Sequence, residues 1–222
     1  MRTDFNFNKE FGTPKILTGK DFNKININVH PIFSGIYLCF EEIFKSLKTD
    51  LTLFSSHSEL RVWKDPNITG YTVANNFQWY LHWSKTMPKN IKLLVYSFPQ
   101  HVEKAELLKK EVSTEFLSFL SSFNYELNRL NPEKLLTLIN TYISTETLLN
   151  LNKKHFQKPH RQIGLELLAK QLSCTRNQLN HRNKVIDLQR DAVLNELEKT
   201  SEIVQRLLND SNFILSPDQL WK

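Results

Sequence analysis

The segment Ile91–Phe98, IKLLVYSF, is apolar almost without interruption. A strand with one wet face alternates, whereas a continuous run marks a strand covered on both faces. Such a strand obliges the chain to supply two layers of cover, and the next segment supplies one. From Val102 to Phe123, the residues Ala105, Leu108, Val112, Phe116, Phe119, Leu120 and Phe123 fall on a single helical face. These two neighbours predict helices layered on a sheet.

The remaining segments extend that pattern. Ile25, Ile27 and Val29 alternate with Asn26 and Asn28, predicting a half-buried strand that Pro31 stops. Ser34 is placed to cap a helix carrying Ile36, Phe40, Ile43, Phe44 and Leu47 on one stripe. Leu51–Ser55 reads as a short strand, and Leu60–Gly70 as irregular with a turn at Asp65-Pro66-Asn67. Asn76–Thr86 reads as a helix presenting Phe77, Tyr80, Leu81 and, in part, Trp83, ended by Pro88. Tyr125–Leu130 reads as a further strand, and Asn131-Pro132 as a helix start, with Asn as cap and Pro at the first helical position. The expected fold is α+β, a mixed sheet layered with helices and followed by a C-terminal helical extension. The expected division is a loosely ordered segment 1–20, an α+β domain 21–150, a basic linker 151–161 around KKHFQKPHR, and helices over 162–222. There Val193, Leu197, Val204 and Leu208 suit a long helix packing on the domain or on a partner.

Composition narrows the function classes. Hydrophobic residues make up 40% and charged residues 23%, enough core to argue against wholesale disorder. Only five glycines, beside fifteen phenylalanines, argue against a Gly-rich cofactor cradle. The net charge of +6 lies on no uniformly basic helix face and reads as a solvated surface. Cys39 and Cys174 stand in no CxxC pattern, so neither a disulfide scaffold nor a zinc site is expected and a reducing, cytoplasmic setting fits. No signal-type apolar region and no run near the roughly 18 residues of a bilayer span is present, leaving peripheral association at the inner membrane through a partner.

Several near-motifs fail on spacing. Gly12–Asp21, GTPKILTGKD, places six residues between its glycines where a phosphate loop needs four, and Asp21 follows Lys20 where Ser or Thr should hold magnesium. The seven histidines form no HExxH, and Ser55-Ser56-His57-Ser58 lacks a GxSxG elbow. Glu41 and Glu42 are helix neighbours that do not face each other and read as solvated. His155 and His160, among Lys153, Lys154, Lys158 and Arg161, read as an exposed basic linker able to meet phosphate or an acidic surface. No catalytic, cofactor-binding or metal-ligating residue is assigned, and the chain is not expected to be an enzyme.

Two surfaces remain as candidates. Trp79, Tyr80 and Trp83 cannot all share one helical face with Phe77 and Leu81, so part of this group is a candidate protein interface. Over 162–186, Leu168-Ala169-Lys170-Gln171-Leu172, then Ser173-Cys174-Thr175, then Arg176–Val185 fit a helix-turn-helix. In it Ala169 permits close packing, Leu172 and Leu179 are core, and Ser173 stands where a turn glycine is usual. Arg176, Asn177, Gln178, Asn180 and Arg182 would then be the base-reading candidates.

The order of segments also resembles a known family. INVHPIFSGIYLCFEEIFKSL followed by TDLTLFSS, then IKLLVYSFPQ followed by KAELLKKEVSTEFLSFLSSFNYELNRLNPEKLLTLINTYIS, and PHRQIGLELLAKQLSC beyond, are similar to the N-terminal domain of TraC-type conjugative-transfer ATPases of type IV secretion systems. The resemblance rests on element order and apolar spacing. It carries no site residue, and neither Walker motif of that family occurs in this chain. It implies a non-catalytic docking or assembly module that contacts secretion-complex components or itself. The alternative is a DNA-binding protein using 162–186.

Overall fold

The computed structural model describes residues 6–18, 25–48, 59–83, 91–99, 101–157 and 160–199, with side chains as far as Asn195. It is an α+β protein. The strands are β1 (Lys15–Leu17), β2 (Ile27–Val29), β3 (Glu59–Lys64), β4 (Tyr71–Val73) and β5 (Lys92–Ser97). The helices are α1 (Phe7–Phe11), α2 (Ser34–Phe44), α3 (Phe77–His82), α4 (Val102–Ser122), α5 (Pro132–Tyr142), α6 (Thr145–Phe156), α7 (Leu165–Gln171) and α8 (Arg176–Lys199).

The sheet is mixed, in the order β1-β5-β3-β4-β2. β5 pairs antiparallel with β1 and parallel with β3, so the apolar run at Ile91–Phe98 is an inner strand as expected. β3 pairs antiparallel with β4, and β4 parallel with β2. Alternation then sorts the side chains. Leu60, Val62, Val73 and Leu93 are fully buried in one core with Phe33, Phe40 and Ile43 of the α2 region and Leu108, Val112 and Phe116 of α4. Trp63 and Tyr96 point to the opposite face, where Phe7 of α1 packs on both rings and Phe11 on Trp63.

Several expectations are corrected. β3 lies in the stretch read as irregular. Buried residues stand on both its faces and Arg61 interrupts the apolar series, which removes the period-two signal. The turn after β3 is where it was expected: Asp65 Oδ1 accepts from the Asn67 N–H at 2.8 Å. Tyr125–Leu130 is no strand. Tyr125 makes a single bridge to Leu47, and Leu127–Arg129 forms a 3-10 turn. Ser34 does not cap α2; its hydroxyl donates to the Pro31 carbonyl, while His30 caps a preceding 3-10 turn through the Ile32 N–H. Residues 6–18 hold α1 and β1 where a loose terminus was expected, and β1 lies inside the near-motif Gly12–Asp21. The strand expected at Leu51–Ser55, the stop at Pro88 and the helix beyond Lys199 lie outside the described residues.

The stretch 151–161 is helical through Phe156. α6 begins at Ser144, whose hydroxyl accepts from the Thr147 N–H, and ends at Gln157 in the left-handed region, with Lys153 and Lys154 in its last turn where the helix dipole favours cations. Two asparagines fasten residues 160–163 to the helices α5 and α6. Asn140 and the Ile163 backbone exchange two hydrogen bonds, of 3.0 and 2.8 Å, and the Asn152 amide reaches the His160 and Gln162 carbonyls. Ile163, Leu167, Leu168, Ala169, Leu172 and Leu179 then belong to the same buried cluster as the sheet.

Candidate functional site

The two helices at the C-terminal end form the best-defined candidate. α7 begins at Gly164 and closes on Leu172, whose N–H bonds the Leu168 carbonyl. Ser173 stands at φ 54°, and the Cys174 N–H reaches back to the Ala169 carbonyl at 3.0 Å. This left-handed residue ends the helix as glycine commonly does. Thr175 then opens α8 with a reciprocal cap. The Thr175 N–H donates to Gln178 Oε1 at 2.8 Å, and the Gln178 N–H donates to Thr175 Oγ1 at 3.2 Å. Leu168, Ala169, Leu172 and Leu179 are buried between the two helices and the body. Two helices joined by a turn are therefore present where the sequence suggested them, with Ser173 in the turn and Ala169, Leu172 and Leu179 buried.

The five base-reading candidates differ in what they can reach. Arg176 and Asn177 are exposed on the first turn of α8. Gln178 is exposed, but its side-chain oxygen is occupied by the cap. Asn180 is half-buried. Arg182 is withdrawn from such a role: its Nε donates to the Leu130 carbonyl at 2.9 Å and ties α8 to the 3-10 turn before α5. Beside the pair, Lys170 lies over the Phe156 ring at 4.2 Å, and His155 approaches the Gln171 amide. Burial first, then Lys154 and Lys170, hold His155 below its ordinary pKa.

Beyond Asp187, α8 changes character. Leu188 is 69% exposed and Leu194 50% exposed, on a stretch flanked by Asp187, Arg190 and Asp191. By contrast the aromatic interface candidate is mostly internal. Trp79 is 7% exposed and Tyr80 1%, with the Tyr80 hydroxyl donating to the Ile27 carbonyl at 2.7 Å. Trp83 is half-buried near Trp79 and packed on the core. The short α3 packs against α2 and reaches β2 through the Tyr80 hydroxyl, so it buries more than one face.

Two polar groupings were not anticipated. His30 Nε2 faces Asp65 Oδ2 at 3.1 Å, its Nδ1 accepts from the Ile32 N–H at 3.2 Å, and its ring stacks on Phe98 at 4.0 Å. Both ring nitrogens are thus engaged, leaving none to serve as a base; the pair fastens the start of α2 to the β3–β4 turn. Thirty-five residues separate the partners, and only the local signal at Asp65-Pro66 could have hinted at one of them. Glu42, expected to be solvated, is buried and paired with Lys45 at 3.1 Å and Lys134 at 2.9 Å, which joins α2 to α5. Glu42 is burdened most by its burial, yet the two lysines hold its carboxyl below the usual range.

A third acid, Glu115 on α4, is half-buried. It meets the backbone N–H groups of Asn76 and Phe77 at the start of α3, while its Oε1 is enclosed with no hydrogen-bond partner. Burial raises its pKa to about 8, with Glu111 adding to the shift and the two N–H groups and Arg61 opposing it. Cys39 is buried and its thiol pushed up to about 12, which makes it inert as a nucleophile. Among the described residues, no group of three His, Cys, Asp or Glu side chains is arranged to hold a metal ion, and no helix is long and apolar enough to cross a membrane.

Comparison with known proteins adds no relative: no family model, no curated protein and no solved structure matches this chain.

Proposed function

We propose that this chain is a non-catalytic docking module, of the kind its resemblance to the N-terminal domain of TraC-type ATPases implies, and that it contacts another protein chain through the outer half of α8. The observation that carries the reading is the change along that helix. Its first half is seated by Leu179 and Arg182, whereas Leu188 and Leu194 stand in solvent beyond it. Apolar side chains left outside the body along a helix are available for contact with a second chain. The partners implied are secretion-complex components or a second copy. Sedimentation velocity across a concentration series tests self-association, and binding to co-expressed secretion-complex subunits tests the rest. Replacing Leu188 and Leu194 together by Asp should abolish association while the circular dichroism spectrum stays unchanged. Association that survives the double variant overturns the role of α8, and magnesium-dependent ATP hydrolysis by the pure chain overturns the non-catalytic reading.

A second reading has its own support. The left-handed Ser173, the Thr175–Gln178 cap and the exposed Arg176 and Asn177 fit a helix-turn-helix that enters a major groove. It requires duplex DNA binding that weakens steeply with salt and falls on Arg176→Ala and Asn177→Ala. A labelled duplex that fails to bind even at low salt excludes it.

A further inference from the structure

Among the described residues, the sheet face under α1 is only half covered. Register places Trp63 beside Tyr96, and this row lies beneath Phe7 of α1. The neighbouring row on the same face is Arg61, Leu94 and Ile16, across β3, β5 and β1. α1 has five residues and leaves that row in an open cleft of about 590 Å³, with Asn6, Asn8, Thr13 and Glu59 at its rim. Ile16 is 59% exposed there and Leu94 half-buried. At the far end of this apolar floor Arg61 is held with its guanidinium over the Phe7 ring at 4.9 Å, and its Nε is enclosed without a hydrogen-bond partner.

A guanidinium at the end of an apolar floor favours an anion, and a carboxylate is the group whose geometry it fits best. The floor between Arg61 and Ile16 crosses three strands, about 10 Å at ordinary strand spacing. That length suits the hydrocarbon part of a small amphiphile. We propose that this cleft binds a free amphiphilic carboxylate, with its anionic head on Arg61 and its apolar body along Leu94 and Ile16. Glu59 faces the same side two residues from Arg61 and opposes the anion, so it limits affinity and favours a single negative charge.

Octanoate is the probe, with octanamide as its neutral counterpart, titrated into the full chain and followed by calorimetry and by amide chemical shifts of Ile16 and Leu94. Octanoate should bind at least tenfold more tightly than octanamide and shift both amides. Arg61→Met, which keeps an unbranched stem without the charge, should weaken octanoate about tenfold and leave octanamide unchanged. Glu59→Gln should tighten octanoate, and Ile16→Ser on the exposed edge should weaken both probes. Lys15→Ala, on the opposite side of β1, should change neither. The proposal is overturned if octanoate does not bind, if octanamide binds equally well, or if Arg61→Met binds octanoate as the wild type does. Binding only to anionic phospholipid vesicles, without octanoate binding, overturns it as well.

Discussion

Replacing Glu115 by Gln should stabilise the protein, and by an amount that grows with pH. In the folded chain this carboxyl titrates near 8, against an ordinary value of 4.5, because burial outweighs the two backbone N–H groups that favour its charge. In the unfolded chain it ionises near the ordinary value. Between those two values the unfolded state binds fewer protons than the folded state, so this group's contribution to stability falls as pH rises from 4.5 to 8 and is level outside that window. One pKa unit is worth about 1.4 kcal/mol, which sets a ceiling of about 5 kcal/mol by pH 9 and about 3 kcal/mol at pH 7. Glu115 keeps some solvent contact, so a realised difference of about 2 to 3 kcal/mol at pH 8 is expected. Gln keeps an acceptor for the Asn76 and Phe77 N–H groups and cannot ionise. Urea unfolding of both proteins, followed by tryptophan fluorescence at one-unit steps from pH 5 to 9, isolates the effect, since all other titrations cancel in the difference. Near pH 5 the two should be almost equal. A difference that stays constant or shrinks towards pH 9 would refute a neutral Glu115.

Three further outcomes are expected. Asp65 is held below its ordinary carboxylate range chiefly by the Asn67 N–H and then by His30, so its contribution is full above pH 4 and is lost as pH falls through the lower folded value. Asp65→Asn should therefore cost about 1 to 2 kcal/mol at pH 7 and progressively less as the pH falls below 4, read by acid unfolding. Asn140→Ala removes both hydrogen bonds to the Ile163 backbone; it should cost about 1 to 3 kcal/mol and speed hydrogen exchange at Ile163 before that of the sheet. Ser173→Gly relieves the left-handed turn and should raise stability by about 0.5 to 1 kcal/mol in thermal unfolding, with no loss if Ser173 acts only as a turn residue.

Segments whose surroundings could be read from their own residues were legible. Ile91–Phe98 had to be an inner strand because it has no polar face, and Val102–Phe123 had to be a helix because its apolar residues recur at helical spacing. Asn131-Pro132 starts a helix through local bonds alone, with Asn131 accepting from the Lys134 N–H at 3.0 Å. The helix pair at 165–185 was visible for the same reason, since its cap and turn are made by neighbours in the chain. β3 was missed because buried residues on both faces erase alternation. The linker over 151–161 was misread because its lysines serve the end of α6, and because Asn140 and Asn152, which bind the next loop, look like any polar residues.

The chain by itself determined its α+β class, its inner strand, the amphipathic helix at Val102–Ser122 and the helix pair at 165–185, all of which follow from periodicity and short-range capping. Tertiary structure decided the rest. Whether Trp79 and Tyr80 face solvent, whether Arg182 is available, whether His30 has a free nitrogen, and whether Arg61 has a partner all depend on groups tens of residues away. Burial and pairing are properties of such contacts, and no local pattern encodes them. The same fact separates the outer half of α8 from the inner half: the composition is similar along the helix, and only the position of the body beside it leaves Leu188 and Leu194 uncovered.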